Sequence, residues 1–187
     1  MFLGLDLGTS GLKALLTDGE GRVVATADAT YDNPHPHVGW SEQDPADWVA
    51  ACENVLDQLK ASVPAAIADL RGIGLSGQMH GATLVDANGD VLRPCILWND
   101  TRAAEEAAWL DAQPDMHEIS GNIVFPGFTA PKVAWVAENE PAVFAQVAKV
   151  LLPKDYLAYW LTGRLVSDMS DSATQAPKGT PKHEDRE

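Results

Sequence analysis

Apolar residues open the chain in short runs: Phe2, Leu3 and Leu5, then Leu12, Ala14, Leu15 and Leu16, then Val23 and Val24. Turn-forming residues separate the runs, first Gly8-Thr9-Ser10-Gly11 and then Asp18-Gly19, a strong hairpin signal. The pattern predicts a meander of three antiparallel strands over 2–7, 12–17 and 23–27. Asp6 falls where the first strand ends, so the first turn combines one carboxylate with a ring of small polar residues.

The period then changes. Trp48, Val49, Cys52, Val55, Leu56 and Leu59 share one face at a spacing of about 3.6 residues, which predicts a helix. Asp44 stands at its N-cap and Pro45 at its first position. The stretch "LRGIGLSG" (70–77) reads as a short buried strand, and Asn88-Gly89 as the turn of another hairpin. "CILWND" reads as a strand ending in polar groups. Further helices are expected over 103–112, 129–138 and 154–161, with a strand over 149–152. This order, β-β-β-α-β and then mixed elements, is not the regular βαβ alternation of a dinucleotide fold. A meander feeding a helix, and then a strand parallel to the first, suggests an α/β fold of the actin-like ATPase, ribonuclease-H-like type. The stretch "LVSDMSDSAT" (165–174) reads as a last strand with no partner after it. "QAPKGTPKHEDRE" (175–187) has no large apolar residue and is rich in Pro and charge, the composition of a disordered tail. A domain over 1–174, incomplete at its end, is the expectation.

Composition narrows the partners. With 187 residues, 45% hydrophobic and 21% charged, the chain has the make-up of one soluble domain with a real core. A net charge of -14 argues against sequence-independent binding to nucleic acid or to an anionic membrane surface, both of which need clustered Lys and Arg. It leaves a nucleotide ligand open, because backbone N–H groups can hold phosphates without basic side chains. Cys52 and Cys95 are too few and too isolated for a disulfide framework or a zinc site, so a reducing cytoplasm is the simplest setting. No apolar run of 18 residues and no leader-like start predict membrane insertion or export.

Three clusters carry candidate chemistry. The turn Gly8-Thr9-Ser10-Gly11 presents backbone N–H groups and two hydroxyls on one side and could cradle a phosphate, with Lys13 adding a positive charge. Asp6 could hold a hydrated Mg²⁺, an ion that favours carboxylates, waters and phosphate oxygens. The plain alternative is a glycine turn with an Asp cap, and the missing Gly-Lys-Ser/Thr rules out a Walker-type loop. In "GLSGQMHGATLVD", Gln78, Met79 and His80 sit between Gly77 and Gly81 beyond a strand end, where ligands gather in open α/β sheets. Gln78 and His80 can hydrogen-bond a polyol and Met79 offers an apolar wall, although His80 also reads as an ordinary loop histidine. In "LWNDTR", Trp98 can stack on a sugar while Asn99, Asp100 and Arg102 bind hydroxyls; a core Trp is the commoner meaning. The helical stripe of Val133, Val136 and Ala137 is explained by packing, and His35 and His37 lack further ligands for a metal.

Together "GLDLGTSGLK", "GLSGQMHGATLVD", "RPCILWNDTR", "NIVFPGFTAPKVAWVAENEP" and "VLLPKDYLAYWLTGRLVSDMSD" resemble the amino-terminal domain of the FGGY carbohydrate kinases, in their xylulokinase branch. The opening turn alone would fit actin, chaperones and many sugar kinases. "GFTAPKVAWVAEN" is more specific, through Thr129, Lys132, Trp135, Glu138 and Asn139. The resemblance implies ATP-dependent phosphorylation of D-xylulose on its terminal hydroxyl. It places Asp6 on the metal-associated aspartate, Gly8, Thr9, Ser10, Gly11 and Lys13 on the phosphate loop, and Met79-His80 on the sugar contact. Trp98, Asn99, Asp100 and Arg102 then lie beside the sugar, and Gly77 and Gly81 let the backbone approach it. Such kinases carry their general-base aspartate and adenosine pocket in a second domain, which nothing after Asp171 supplies. Besides a kinase's amino-terminal part, a sugar-binding remnant without turnover and one half of a split kinase are therefore expected alternatives. An actin- or chaperone-type ATPase explains the opening turn but not the other segments.

Overall fold

The structure, a computed structural model, describes residues 1–169 and Asp171. The predicted tail, the domain limit at 174 and the end of the predicted last strand lie outside the described residues.

Strands β1 (Phe2–Leu7), β2 (Gly11–Thr17) and β3 (Val23–Thr30) form the expected meander. After β4 (Glu42–Gln43), α1 (Pro45–Ser62) and the short α2 (Pro64–Ala68), the chain returns as β5 (Gly72–Gly77), parallel to β1. The sheet order is β3-β2-β1-β5. Alternation sets its two faces: Leu3, Leu5, Leu7, Leu12, Ala14 and Leu16 are buried, while Gly4, Asp6, Lys13 and Leu15 point the other way. Asp6 pairs with Lys13 on one side and Ser76 on the other.

Helix α1 begins where its cap is written: the Asp44 carboxylate accepts from Ala46 N–H at 2.9 Å, with Pro45 in the first turn. It buries Trp48, Ala51, Cys52, Val55 and Leu59 in the leucine face of the sheet, where Leu157 of a later helix joins them. A smaller core forms beside it. There β6 (Thr83–Val85), β7 (Cys95–Ile96), α3 (Ala104–Asp111), α4 (Met116–Ser120), α5 (Thr129–Asn139), α6 (Pro141–Phe144) and β8 (Lys149–Leu151) lead to α7 (Pro153–Thr162). β6 pairs with β8 and β4 with β7, and Leu84, Ile96 and Val136 make the contact centre.

Three expectations are corrected. β5 is not a buried strand: among the described residues it pairs with β1 alone, at the edge of the sheet, and Ile73, in register with the buried Leu3, is 43% exposed there. The "CILWND" strand stops at Ile96, since the Asp100 N–H turns back to the Leu97 carbonyl. In the described part of the predicted last strand, 165–168 is irregular and Met169 and Asp171 are helical; Lys154 pairs with Asp168, and Ser167 donates to Asp155 at 2.7 Å.

The face assignment has a direct test. Leu5→Ala, which removes a fully buried side chain, should lower the unfolding free energy by about 2–5 kcal/mol in urea. Leu15→Ala, one position along the pairing but on the open face, should change it by less than about 0.5 kcal/mol.

Candidate functional site

The first turn is held by its carbonyl groups. Gly8 O accepts from the Tyr31 hydroxyl at 2.6 Å, Thr9 O from Gln43 Nε2 at 2.5 Å, Ser10 O from Tyr31 N–H at 3.4 Å, and Gly11 O from Gly8 N–H at 3.0 Å. Tyr31 is kept protonated, its pKa raised first by burial and then by the nearby Asp6 charge, so it remains a donor. With all four acceptors drawn toward protein donors, the turn keeps no competing carbonyl for an incoming anion.

A chain of side-chain amides links this turn to the end of β5. Gln43 Oε1 accepts from Trp48 Nε1 at 3.0 Å and from Gln78 Nε2 at 2.9 Å. The Thr9 hydroxyl donates to Gln78 Oε1 at 3.4 Å and accepts from Trp98 Nε1 at 3.0 Å. The structure therefore brings Thr9, Gln78 and Trp98 together, three residues singled out from three separate segments. Trp98 and Met79 are both exposed apolar side chains, at 43% and 45%.

His80 adopts φ 61°, the single left-handed non-glycine residue among those described. Its ring packs on Phe128 with centroids 4.8 Å apart, and Phe128 in turn meets Phe125. Burial, and then the Lys132 charge, push the His80 pKa below the usual histidine value, which favours a neutral imidazole. Its carbonyl accepts from Lys132 Nζ at 2.8 Å and from the Thr129 hydroxyl at 3.2 Å.

Other predicted residues lie elsewhere. Asp6 and Lys13 line a concavity of about 590 Å³ on the open sheet face, with Asp28, Ser76 and the small Gly4 and Gly74. Ser10 and Asn99 are exposed. Asp100 and Arg102 face inward: the Asp100 carboxylate accepts from Ser41 N–H at 2.6 Å and from the Arg102 guanidinium at 2.7 Å. Arg102 lies over the Trp40 ring at 3.6 Å and pairs with Glu42 at 2.7 Å. The flanking glycines serve packing: a Cβ at Gly77 would come within 2.9 Å of Leu7 O, and one at Gly81 within 2.6 Å of Pro153 Cγ.

Sequence reasoning assigned no site role to Gln43, Tyr31, Phe128 or Lys132. Only Lys132 left a signal, a lysine on the buried stripe of α5 four residues before Val136. Burial brings its pKa down to about 7 from 10.5. Between those values the unfolded chain holds a proton the folded chain has released, so Lys132 makes stability rise with pH across that window. Urea unfolding of the wild type and of Lys132→Met at pH 7, 8 and 9 should show their difference changing in this direction. A difference independent of pH would contradict the assignment.

Among known proteins, residues 1–176 match the pattern of the FGGY family of carbohydrate kinases, N-terminal domain. The xylulose kinases of Klebsiella pneumoniae and Escherichia coli K12 are 52% and 50% identical over 174 residues, in each case 92% of this chain and 36% of the relative. A crystal structure of a xyloylose kinase from Brucella ovis shares 62% identity at a TM-score of 0.90, with 92% of this chain covered and 36% of that one. The chain thus spans about 36% of the length of the relatives it matches. The mixed sheet with its antiparallel meander is the amino-terminal portion of their actin-like fold. With its family pattern matched over nearly its whole length, the chain belongs to the FGGY family of carbohydrate kinases.

Proposed function

We propose that this chain supplies the sugar-facing and phosphate-facing part of an ATP-dependent kinase that phosphorylates D-xylulose on its terminal hydroxyl. The observation that carries the reading is the Thr9 hydroxyl, bonded at once to Gln78 and to the Trp98 indole, which joins the glycine turn to the His80 loop. The xylulose kinases it resembles supply the substrate class. Residues 1–174 then act as one unit of a larger catalytic body.

The residues divide the work. The turn Gly8–Gly11, its carbonyls taken by protein donors, offers N–H groups other than that of Gly8, and the Ser10 hydroxyl, to phosphate oxygens. Trp98 and Met79 pack on the sugar's C–H surface, while the neutral His80 imidazole accepts or donates to a hydroxyl. Asp6 fits Mg²⁺ only as a sparse site, because no group of three His, Cys, Asp or Glu converges among the described residues. An ion held by one carboxylate and otherwise by waters and phosphate oxygens suits Mg²⁺, which dehydrates reluctantly. When bound, the metal neutralises charge on the phosphates. Phosphoryl transfer depends on positioning and charge stabilisation around the transferred group. Turnover therefore draws on the part of the relatives' length that this chain does not match.

Titration calorimetry of the chain with D-xylulose tests the site. Saturable binding is expected, weakened about tenfold or more by His80→Ala, the loss anticipated for one buried polar contact. Equal affinity in the variant would remove His80 from the sugar site. A coupled assay for ADP release, with Mg²⁺, ATP and D-xylulose, should be silent for the chain alone. Turnover on adding the remaining portion of a relative would favour a split enzyme, and binding without turnover under either condition a sugar-binding module.

A further inference from the structure

Lys132 is fully buried, on a helix whose other buried residues are Thr129, Pro131 and Val136. An ammonium in such a place costs solvation unless its donors are used. Here two of its three donors are spent on loop carbonyls, His80 O at 2.8 Å and Gly127 O at 2.6 Å. The first is the peptide of the candidate sugar contact. The His80 peptide carries the left-handed φ of 61°, a conformation that a side chain with Cβ keeps only when its surroundings over-determine it. The Gly127 turn lies directly on the next loop, since a Cβ there would stand 2.5 Å from the Trp98 carbonyl. Thr129, one turn before Lys132 on the same helix, adds a second donor to the His80 carbonyl at 3.2 Å.

We infer that Lys132 is a positioning residue for the sugar contact: from inside α5 it fixes the His80 peptide in its left-handed conformation and ties it to the Gly127 turn. The imidazole is thereby presented at one angle against Phe128, and Trp98 is held at a set separation from it. This inference rests on the reading of His80 as a sugar contact, but the geometry it describes is measurable without sugar. A lysine does this better than a neutral amide because its stem crosses the apolar interior and its head reaches two carbonyls on different loops.

The test uses the whole chain, with Lys132→Met as a variant of similar length that lacks donors. Nuclear Overhauser contacts between the His80 and Phe128 rings, whose centroids lie 4.8 Å apart, should be present in the wild type and lost in Lys132→Met. Contacts between Trp48 and Tyr156 in the main core, at 6.3 Å, should persist in both. In a double-mutant cycle on D-xylulose affinity, Lys132→Met and His80→Ala should each weaken binding about tenfold or more, and their combination should weaken it no further than one alone. Additive losses would make Lys132 a general stabiliser and overturn the inference, as would an intact His80–Phe128 contact in a folded Lys132→Met chain. If His80→Ala leaves affinity unchanged, the sugar-site reading fails, and the ring contact still decides the role of Lys132. Should Lys132→Met not fold, Thr129→Val enters the same cycle and the same ring measurement. A smaller loss of about threefold, again non-additive with His80→Ala, is then expected; additivity or an unchanged ring contact would overturn the inference.

Discussion

One buried side-chain amide, that of Gln43, holds the floor of the site in place. It donates to Thr9 O and Asp32 O, and it accepts from Trp48 and Gln78. Those partners sit on the first turn, the loop after β3, helix α1 and the end of β5, so a single group sets the spacing of four segments. The arrangement is obligatory once the apolar face of the sheet is packed. Trp48 enters the core carrying an indole N–H, Gln78 is drawn below the strand end, and neither can reach water. An unmatched polar group there costs about 1–3 kcal/mol, so the network is satisfied as a unit or not at all.

Charge follows the same economy. The chain is strongly acidic, and several of its cations near the site are tied to carboxylates: Arg93 to Glu42 and Glu140, Arg102 to Asp100 and Glu42, and Lys154 to Asp155, Asp168 and Asp171. Lys13 lies on the open sheet face between Asp6 and Asp28 in the strand register. On the proposed reading, a phosphate at this surface would be served mainly by backbone N–H groups, since the turn's four carbonyls are taken by protein donors.

Local rules made much of this legible. The meander could be read from alternation and turn residues, α1 from Asp44-Pro45 and its apolar stripe, and the Asn88-Gly89 hairpin from its dipeptide. What escaped is non-local. β4 is two residues long and exists because Glu42 meets Ile96, a pairing no short window contains. Asp100 and Arg102 look like hydroxyl binders until the Trp40 loop folds back on them and uses both charges. β5 has the composition of a buried strand, yet among the described residues it is the edge of the sheet, with β1 as its one neighbour. For the site, the three segments could be named but not the glutamine that joins them, since a lone Gln before a helix cap carries no signal.

The central claim is that the glycine turn, the His80 loop and Trp98 form one ligand site. The most direct measurement is chemical-shift mapping of the isotope-labelled chain during a D-xylulose titration. Thr9, Gln78 and His80 amides and the Trp98 indole N–H should shift together with one dissociation constant, while Trp109 in the concavity between α3 and α5 stays still. Shifts centred on Trp109 and Trp135, or a response of His80 without Thr9 and Trp98, would contradict it.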